Sequence, residues 1–238
     1  MRNFARRASG AAGLVAAVAV LLSGCAELAG RTDLPISDDF SGRDCALSED
    51  DDEHIRLACE GEEYRVLYKR ADERIHHVMP RRIEEPTDSA SVEADVTLRA
   101  FPGSSDDFEA HGIGCWASPF GAPFQGYLFL VGPAANALAI LVQDETDETL
   151  EDAFFLRPLV DEASDAVVPP GETTRLRGEC RATDDGVDLT MYLDGKRVAS
   201  ASDSARFGPF EAFGFVTFST LPDTDIRFDN FEAHALGD

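Results

Sequence analysis

Lysine is nearly missing from this 238-residue chain: Lys69 and Lys196 are the only two, and the 21 basic residues face 45 Asp and Glu. The formal charge is −24 at pH 7. A surface that negative repels nucleic-acid phosphates and anionic lipid headgroups, so no nucleic-acid partner is expected and cationic ligands or divalent ions are favoured. Membrane-spanning length is missing too. The apolar run at residues 11–22 is too short for a bilayer span, which takes about 20 residues. No long, capped helical pattern occurs, which argues against an all-helical fold. There is no phosphate loop, dinucleotide fingerprint or serine-histidine-aspartate arrangement. None of the five cysteines has a partner two to four residues away, and His54, His76, His77, His111 and His234 form no matching set, so a zinc site is not expected. His111, beside glycines, reads as plain surface in a loop.

What is present begins with Arg2, Arg6 and Arg7, the apolar run, and then Leu22-Ser23-Gly24-Cys25. A basic start, a short apolar stretch and small residues describe a cleavable secretory signal. The four residues resemble a bacterial lipobox, which implies a diacylglyceryl group on the Cys25 thiol and cleavage on its amino side. The expected organisation is a signal peptide over residues 1–24, a lipidated cysteine and spacer over 25–35, and one domain over 36–238. That places the domain on the extracytoplasmic side of the cell membrane, held by a lipid anchor and not by a span. Each buried CH₂ contributes about 0.8 kcal/mol, so two or three acyl chains hold for practical purposes permanently. Removing the leader, with three arginines and no acidic residue, takes the charge from −24 to −27. Arg6-Arg7 alone does not decide the export route.

Four further cysteines, Cys45, Cys59, Cys115 and Cys180, are an even set in an exported chain and read as two disulfides with three conceivable pairings. The favoured one joins Cys45 to Cys59 around the acidic run Glu49-Asp50-Asp51-Asp52-Glu53, and Cys115 to Cys180 between two strand-like segments. The acidic runs at 50–52 and 144–148 have the chemistry for Ca²⁺, yet neither has the Asp-x-Asp-x-Asp-Gly loop pattern, and no other cofactor is indicated.

Residues 91–101 are the clearest strand. Val92, Ala94, Val96, Leu98 and Ala100 share one face, and Ser91, Glu93, Asp95, Thr97 and Arg99 the other, the period of two of a half-buried strand. Short strands are also expected at 36–40, 54–59 and 64–68, and at 112–118, where Cys115 and the only tryptophan, Trp116, point opposite ways. The apolar runs 125–132 and 136–143 read as central strands covered on both sides. Strands follow at 174–182, 187–193, 196–200, 213–219 and 226–235, with Asp194-Gly195 as a hairpin turn needing positive φ. Residues 149–168 have no firm assignment. The expected fold class is all-β.

Asp38-Asp39-Phe40-Ser41, Tyr64-Arg65-Val66, Val92-Glu93-Ala94-Asp95-Val96, the segment from Leu189 through Leu193-Asp194-Gly195-Lys196 to Val198, and Ile226-Arg227-Phe228-Asp229-Asn230-Phe231 resemble the concanavalin A-like sandwich family. That family includes laminin-G-type modules and bacterial 3-keto-disaccharide hydrolase-like domains. The resemblance implies a jelly-roll sandwich of two antiparallel sheets, with first and last strands adjacent and a concave face where relatives often bind glycans. Relatives that cleave β-glucans carry Glu-x-Asp-x-x-Glu on a strand, because alternate side chains then align a nucleophile and an acid/base carboxylate. Glu93-Ala94-Asp95 begins that pattern, but position 98 is Leu, on the apolar face. No catalytic residue is therefore assigned. The candidate ligand face is Glu93, Asp95, Thr97 and Arg99, joined by Trp116, Tyr127 and Tyr192 where their strands pair with it. Carboxylates would accept hydroxyl hydrogen bonds and rings would stack on C–H faces. The expected function is a non-catalytic module for a cell-wall or extracellular glycan or an envelope protein. A glycan-processing hydrolase of the same fold and an accessory or sensor domain are the alternatives.

Overall fold

The computed structural model describes residues 33–41, 47, 49–70, 76–104, 107, 109–118, 123–147, 155–205 and 207–237. The leader, Cys25 and Cys45 lie outside the described residues. Among the described residues the alternating segments become strands. In chain order these are β1 (Ile36–Asp38), β2 (Asp50–Asp51), β3 (Ile55–Glu60), β4 (Glu63–Tyr68), β5 (His76–Thr87), β6 (Ala90–Ala100), β7 (Glu109–Trp116) and β8 (Gln125–Gly132). They continue with β9 (Ala137–Asp144), β10 (Leu156–Ala163), β11 (Thr173–Thr183), β12 (Gly186–Leu193), β13 (Lys196–Asp203), β14 (Phe210–Ser219) and β15 (Asp225–Ala235). One sheet runs β13-β12-β11-β6-β15-β4-β3-β2, with β1 also paired to β15. The other runs β10-β9-β8-β7-β14-β5. Every pairing is antiparallel, and first and last strands are neighbours, with Ile36 opposite Ala233.

The core forms where the inner faces of the two sheets meet. In β6, Val92, Ala94, Val96 and Leu98 are buried against Ile113, Phe129 and Phe215 of the other sheet within one apolar cluster. Phe215 of β14 stacks on Phe228 of β15 with centroids 4.0 Å apart and planes at 11°, and Phe40, Tyr64 and Phe231 surround it. An aromatic knot bridging two sheets holds their spacing through both buried area and ring geometry. Strands β8 and β9 are covered on both faces, as their nearly continuous apolar sequences require. A second apolar cluster, including Trp116, Leu128, Leu141 and Val216, lies on the outer side of the six-stranded sheet.

Three features went beyond the pattern in the sequence. Strand β5 contains Pro80 and Pro86, which hide a strand signal; it is an edge strand of its sheet, where a missing N–H costs no ladder bond, and its register with β14 shifts twice. In the stretch without an assignment, Leu156–Ala163 is the opposite edge strand, β10, with a register shift between Pro158 and Val160. His111 is no loop residue: it sits inside β7, buried and facing the core. The hairpin at Asp194 and Gly195 does take positive φ, 50° and 75°.

The expected bond between Cys115 and Cys180 is absent, and this corrects the sequence reading: both are free, buried thiols. Both lie in the core between the sheets, Cys115 on the inner face of β7 and Cys180 on the inner face of β11. Cys59 is disulfide-bonded; Cys45, its expected partner, lies outside the described residues.

Candidate functional site

The outer face of the nine-stranded sheet is built by the polar half of each alternation. In β11 the outward positions are Thr173, Arg175, Arg177, Glu179 and Arg181, and register sets Arg175 opposite Asp95 and Arg177 opposite Glu93. On the far side of β6, β15 sets Asp229 opposite Asp95 and Glu232 opposite Glu93. Arginines therefore lie in rows with carboxylates across three strands. Arg175 is the hub: its guanidinium is 3.3 Å from Glu93, 3.4 Å from Asp95 and 3.3 Å from Glu232. A register shift between Asp229 and Glu232, with Asn230 at φ 48°, turns the Asn230 carbonyl to accept a 2.5 Å bond from the same guanidinium. The Asn230 amide in turn donates to Asp95 at 2.8 Å. Burial holds the Asp229 carboxyl above the usual Asp value, and the neighbouring charges of Asp95, Glu63 and Asp39 add to it.

The lattice continues on both sides. Arg177 lies over the Tyr192 ring, its Cζ 3.9 Å from the centroid, and reaches Glu179 at 3.5 Å. Toward the other edge, Arg227 grips Asp225 with two bonds of 2.8 and 3.2 Å, and Arg65 joins Asp225 and Glu60 at 2.9 and 3.0 Å. Arg99 pairs with Glu63 at 3.0 Å. Single exposed pairs contribute little, but a net of shared partners fixes side chains in one geometry and leaves less ordering to do on binding. Glu93, Glu232 and His234 offer ligand atoms within 4.8 Å of one another. The Arg175 guanidinium is already paired with both of those carboxylates, at 3.3 Å each.

Of the residues expected to share a ligand face, Glu93, Asp95, Thr97, Arg99 and Tyr192 are brought together on this sheet. Thr97 is nearly covered, its hydroxyl 2.7 Å from that of Thr173. Trp116 and Tyr127 are not part of it, a correction that follows from strand pairing: both belong to the six-stranded sheet. Tyr127 points inward, donating to the Ala205 carbonyl at 2.7 Å and to Asp203 at 3.3 Å, and burial pushes its hydroxyl pKa up. Trp116 lies buried on the outer side of its own sheet, its ring over Gly114 and its N–H donating to Gln143 at 3.2 Å. Arg175, Arg177, Glu232 and Asn230 were missed by sequence reasoning. The alternation of β11 was visible, but which strand it would lie beside was not.

The acidic runs are largely self-engaged. Lys69 contacts Asp51, Asp52 accepts the backbone N–H groups of His54 and Ile55, and Asp144 accepts from Gln125 and Thr146. A separate polar cluster lies inside the sandwich. Glu109 and His111, two residues apart on the inner face of β7, are in hydrogen-bond contact, and the second Glu109 oxygen is buried without a partner. Opposite them in register are Ser219 and Thr217; the Ser219 hydroxyl is 2.8 Å from that of Thr224, and the Thr217 hydroxyl 2.9 Å from that of Tyr68.

No protein-family model matches the chain, and no curated protein does. Solved structures do resemble it. The metal-free carbohydrate recognition domain of Emp46p superposes with a TM-score of 0.58 at 9% identity, covering 84% of this chain and 95% of that one. A GH16 protein of the Bacteroides ovatus mixed-linkage glucan locus, in complex with its product, gives 0.56 at 9% identity, covering 83% and 99%. Arcelin-5, a lectin-like defence protein of Phaseolus vulgaris, gives 0.54 at 12% identity, covering 84% and 96%. At these identities the likeness establishes the fold: this chain is a concanavalin A-like jelly-roll sandwich.

Proposed function

We propose that this chain is an exported, lipid-anchored, non-catalytic glycan-binding module that presents the outer face of its nine-stranded sheet to the ligand. The observation that carries the reading is the set around Arg175 and Tyr192. Carboxylates, guanidinium groups and an aromatic ring lie half-buried on one rigid sheet, each held by neighbours at 2.5–3.9 Å. Sugar hydroxyls need donors and acceptors fixed in space, and preorganised groups on strands supply them at little ordering cost. The fold is one that a carbohydrate recognition domain and a glucan-acting protein share. Against a retaining hydrolase stand the buried Leu98, where the motif needs a third carboxylate, and the sharing of Glu93 and Asp95 by one guanidinium. The anchor at Cys25 rests on the lipobox-like residues 22–25 and puts the module at the cell membrane.

The test is binding of the mature chain, carrying Cys25→Ser for solubility, to an array of cell-wall and environmental polysaccharides, with product release monitored on every glycan bound. A retained glycan that is not cleaved, and that is lost with Glu93→Ala/Asp95→Ala or Tyr192→Ala while the circular dichroism spectrum is unchanged, supports the reading. Cleavage favours the hydrolase instead, and binding that survives these substitutions moves the site elsewhere. If nothing binds, an envelope protein becomes the better partner. In cells, Cys25→Ser should release the protein from the membrane; normal retention of that variant removes the anchor.

A further inference from the structure

We infer that Arg177, laid over the ring of Tyr192, is the specificity-determining donor of the ligand face, and that its ligand is an uncharged sugar read through two neighbouring hydroxyl groups. This rests on the glycan-binding reading and names the class of sugar that the face takes. Strand register sets Arg177 apart from the other arginines of the lattice. Arg175, Arg65, Arg99 and Arg227 each hold a carboxylate at 2.8–3.3 Å. Arg177 is opposite Glu93 of β6, but that carboxylate is paired with Arg175 at 3.3 Å. On its other side it is opposite Tyr192 of β12, which offers a ring and no charge. Directly opposed residues on paired strands have Cβ atoms about 4.5–5.5 Å apart, so the guanidinium settles on the ring, its Cζ 3.9 Å from the centroid. Among the described residues its one carboxylate contact is Glu179 at 3.5 Å, and Arg181 shares that partner at 3.4 Å. Its Nε is buried with no hydrogen-bond partner. A guanidinium carries several N–H donors in a rigid fork. This one is held in place by a ring, its side chain 35% exposed, with donors left for a ligand.

Charge decides the class of ligand. Strands β6, β11 and β15, the centre of the face, carry five arginines and six Asp or Glu residues. The whole chain has 21 basic residues against 45 acidic ones. The face is therefore close to electrically neutral on a strongly negative molecule. A polyanion is repelled before it reaches the face, and a polycation finds a denser acidic surface elsewhere. A ligand without charge meets neither obstacle. A sugar hydroxyl both donates and accepts, and Arg177 and Glu179 place a donor edge and an acceptor side by side. Of two neighbouring hydroxyls, one accepts from an Arg177 N–H and the other donates to the Glu179 carboxylate. Such charge-assisted bonds are about twice as strong as those between neutral groups. Tyr192 is the positioning residue: its ring orients the guanidinium, so the covered ring face is not a stacking surface for the sugar.

The experiment measures binding of the full chain, carrying Cys25→Ser, to immobilised polysaccharides of three classes: neutral β-glucan and galactomannan, anionic polygalacturonate and alginate, and cationic chitosan. Each is run at about 50 and about 500 mM NaCl, which shortens the Debye length from roughly 14 to roughly 4 Å. The expected result is a neutral glycan whose Kd changes less than about twofold with salt. Arg177→Met, which keeps the stem over Tyr192 and removes the N–H donors, should weaken that binding at least about tenfold at an unchanged melting temperature. Arg177→Lys keeps the charge but not the fork and should stay as weak. Full binding by Arg177→Lys overturns the inference, because charge alone then suffices. So does a ligand found only among the polyanions or chitosan, with binding that falls as salt rises. Neutral binding that is lost with Glu93→Ala/Asp95→Ala yet untouched by Arg177→Met leaves the ligand face standing and removes Arg177 from it. Binding to no polysaccharide removes the glycan reading and this inference together.

Discussion

Replacing His111 by Ala should cost this protein more than replacing Glu109 and His111 together by apolar residues. Glu109 and His111 are both almost wholly enclosed, the imidazole holds one carboxyl oxygen, and the other oxygen has no partner. Wherever the shared proton sits, deleting the ring strands a carboxyl group inside the sandwich. Breaking a buried polar pair from one side costs about 3–5 kcal/mol. For a domain of roughly 200 residues that is a fall in melting temperature of about 6–20 °C. Glu109→Ala removes the unpartnered oxygen but leaves a His111 nitrogen unpaired and a small cavity, for a loss of about 1–3 kcal/mol. Glu109→Met/His111→Phe keeps the volume and keeps an edge-on ring against Phe228, now 6.4 Å from the imidazole. It should be neutral within about 1 kcal/mol, or stabilising. Urea titrations of the three variants and the wild type form the measurement, read as shifts in midpoint at constant slope. A double variant that loses the sum of two single losses would refute the reasoning, because additivity means the two side chains do not depend on one another.

Phe215→Ala, which empties the centre of the inter-sheet aromatic knot, should lower stability by about 3–5 kcal/mol in the same titration; a loss below about 1 kcal/mol would mean the knot is not holding the sheets. Gly178→Ala places a methyl 2.3 Å from a Phe129 ring carbon, and overpacking should cost about 1–3 kcal/mol, checked by thermal unfolding. Tyr127→Phe leaves the Ala205 carbonyl without its 2.7 Å donor and should cost about 1–2 kcal/mol, with Asp203 still held by Arg157 at 3.0 Å. Asp229 supplies a pH test. Its pKa is raised in the folded state, so its charge opposes folding above that value and the opposition is relieved as pH falls through it. Asp229→Asn should thus be the more stable protein at pH 7 and lose that advantage on acidification toward pH 4; a variant less stable at pH 7 contradicts the assignment.

The sequence by itself determined the elements and their faces. Strand β6 pairs as a half-buried strand because Val92, Ala94, Val96 and Leu98 alternate with polar residues, and the turn at Asp194-Gly195 follows from the residues that tolerate positive φ. Both are local properties, written in a few consecutive side chains. Where the local signal is broken by Pro80 and Pro86, β5 could not be seen, since only its place at a sheet edge makes those prolines harmless. Everything that depends on which strand lies beside which was decided by the tertiary structure. Strand pairing put Arg175 among Glu93, Asp95 and Glu232, which come from two other strands. It sent Trp116 and Tyr127 to the second sheet and buried Glu109 and His111 in the core between the sheets. It also left Cys115 and Cys180, which the sequence reading joined in a disulfide, as free thiols in the shared core. The reason is physical: alternation says which face a side chain takes, while register between distant strands comes from closing one shared core, and the whole chain decides that at once.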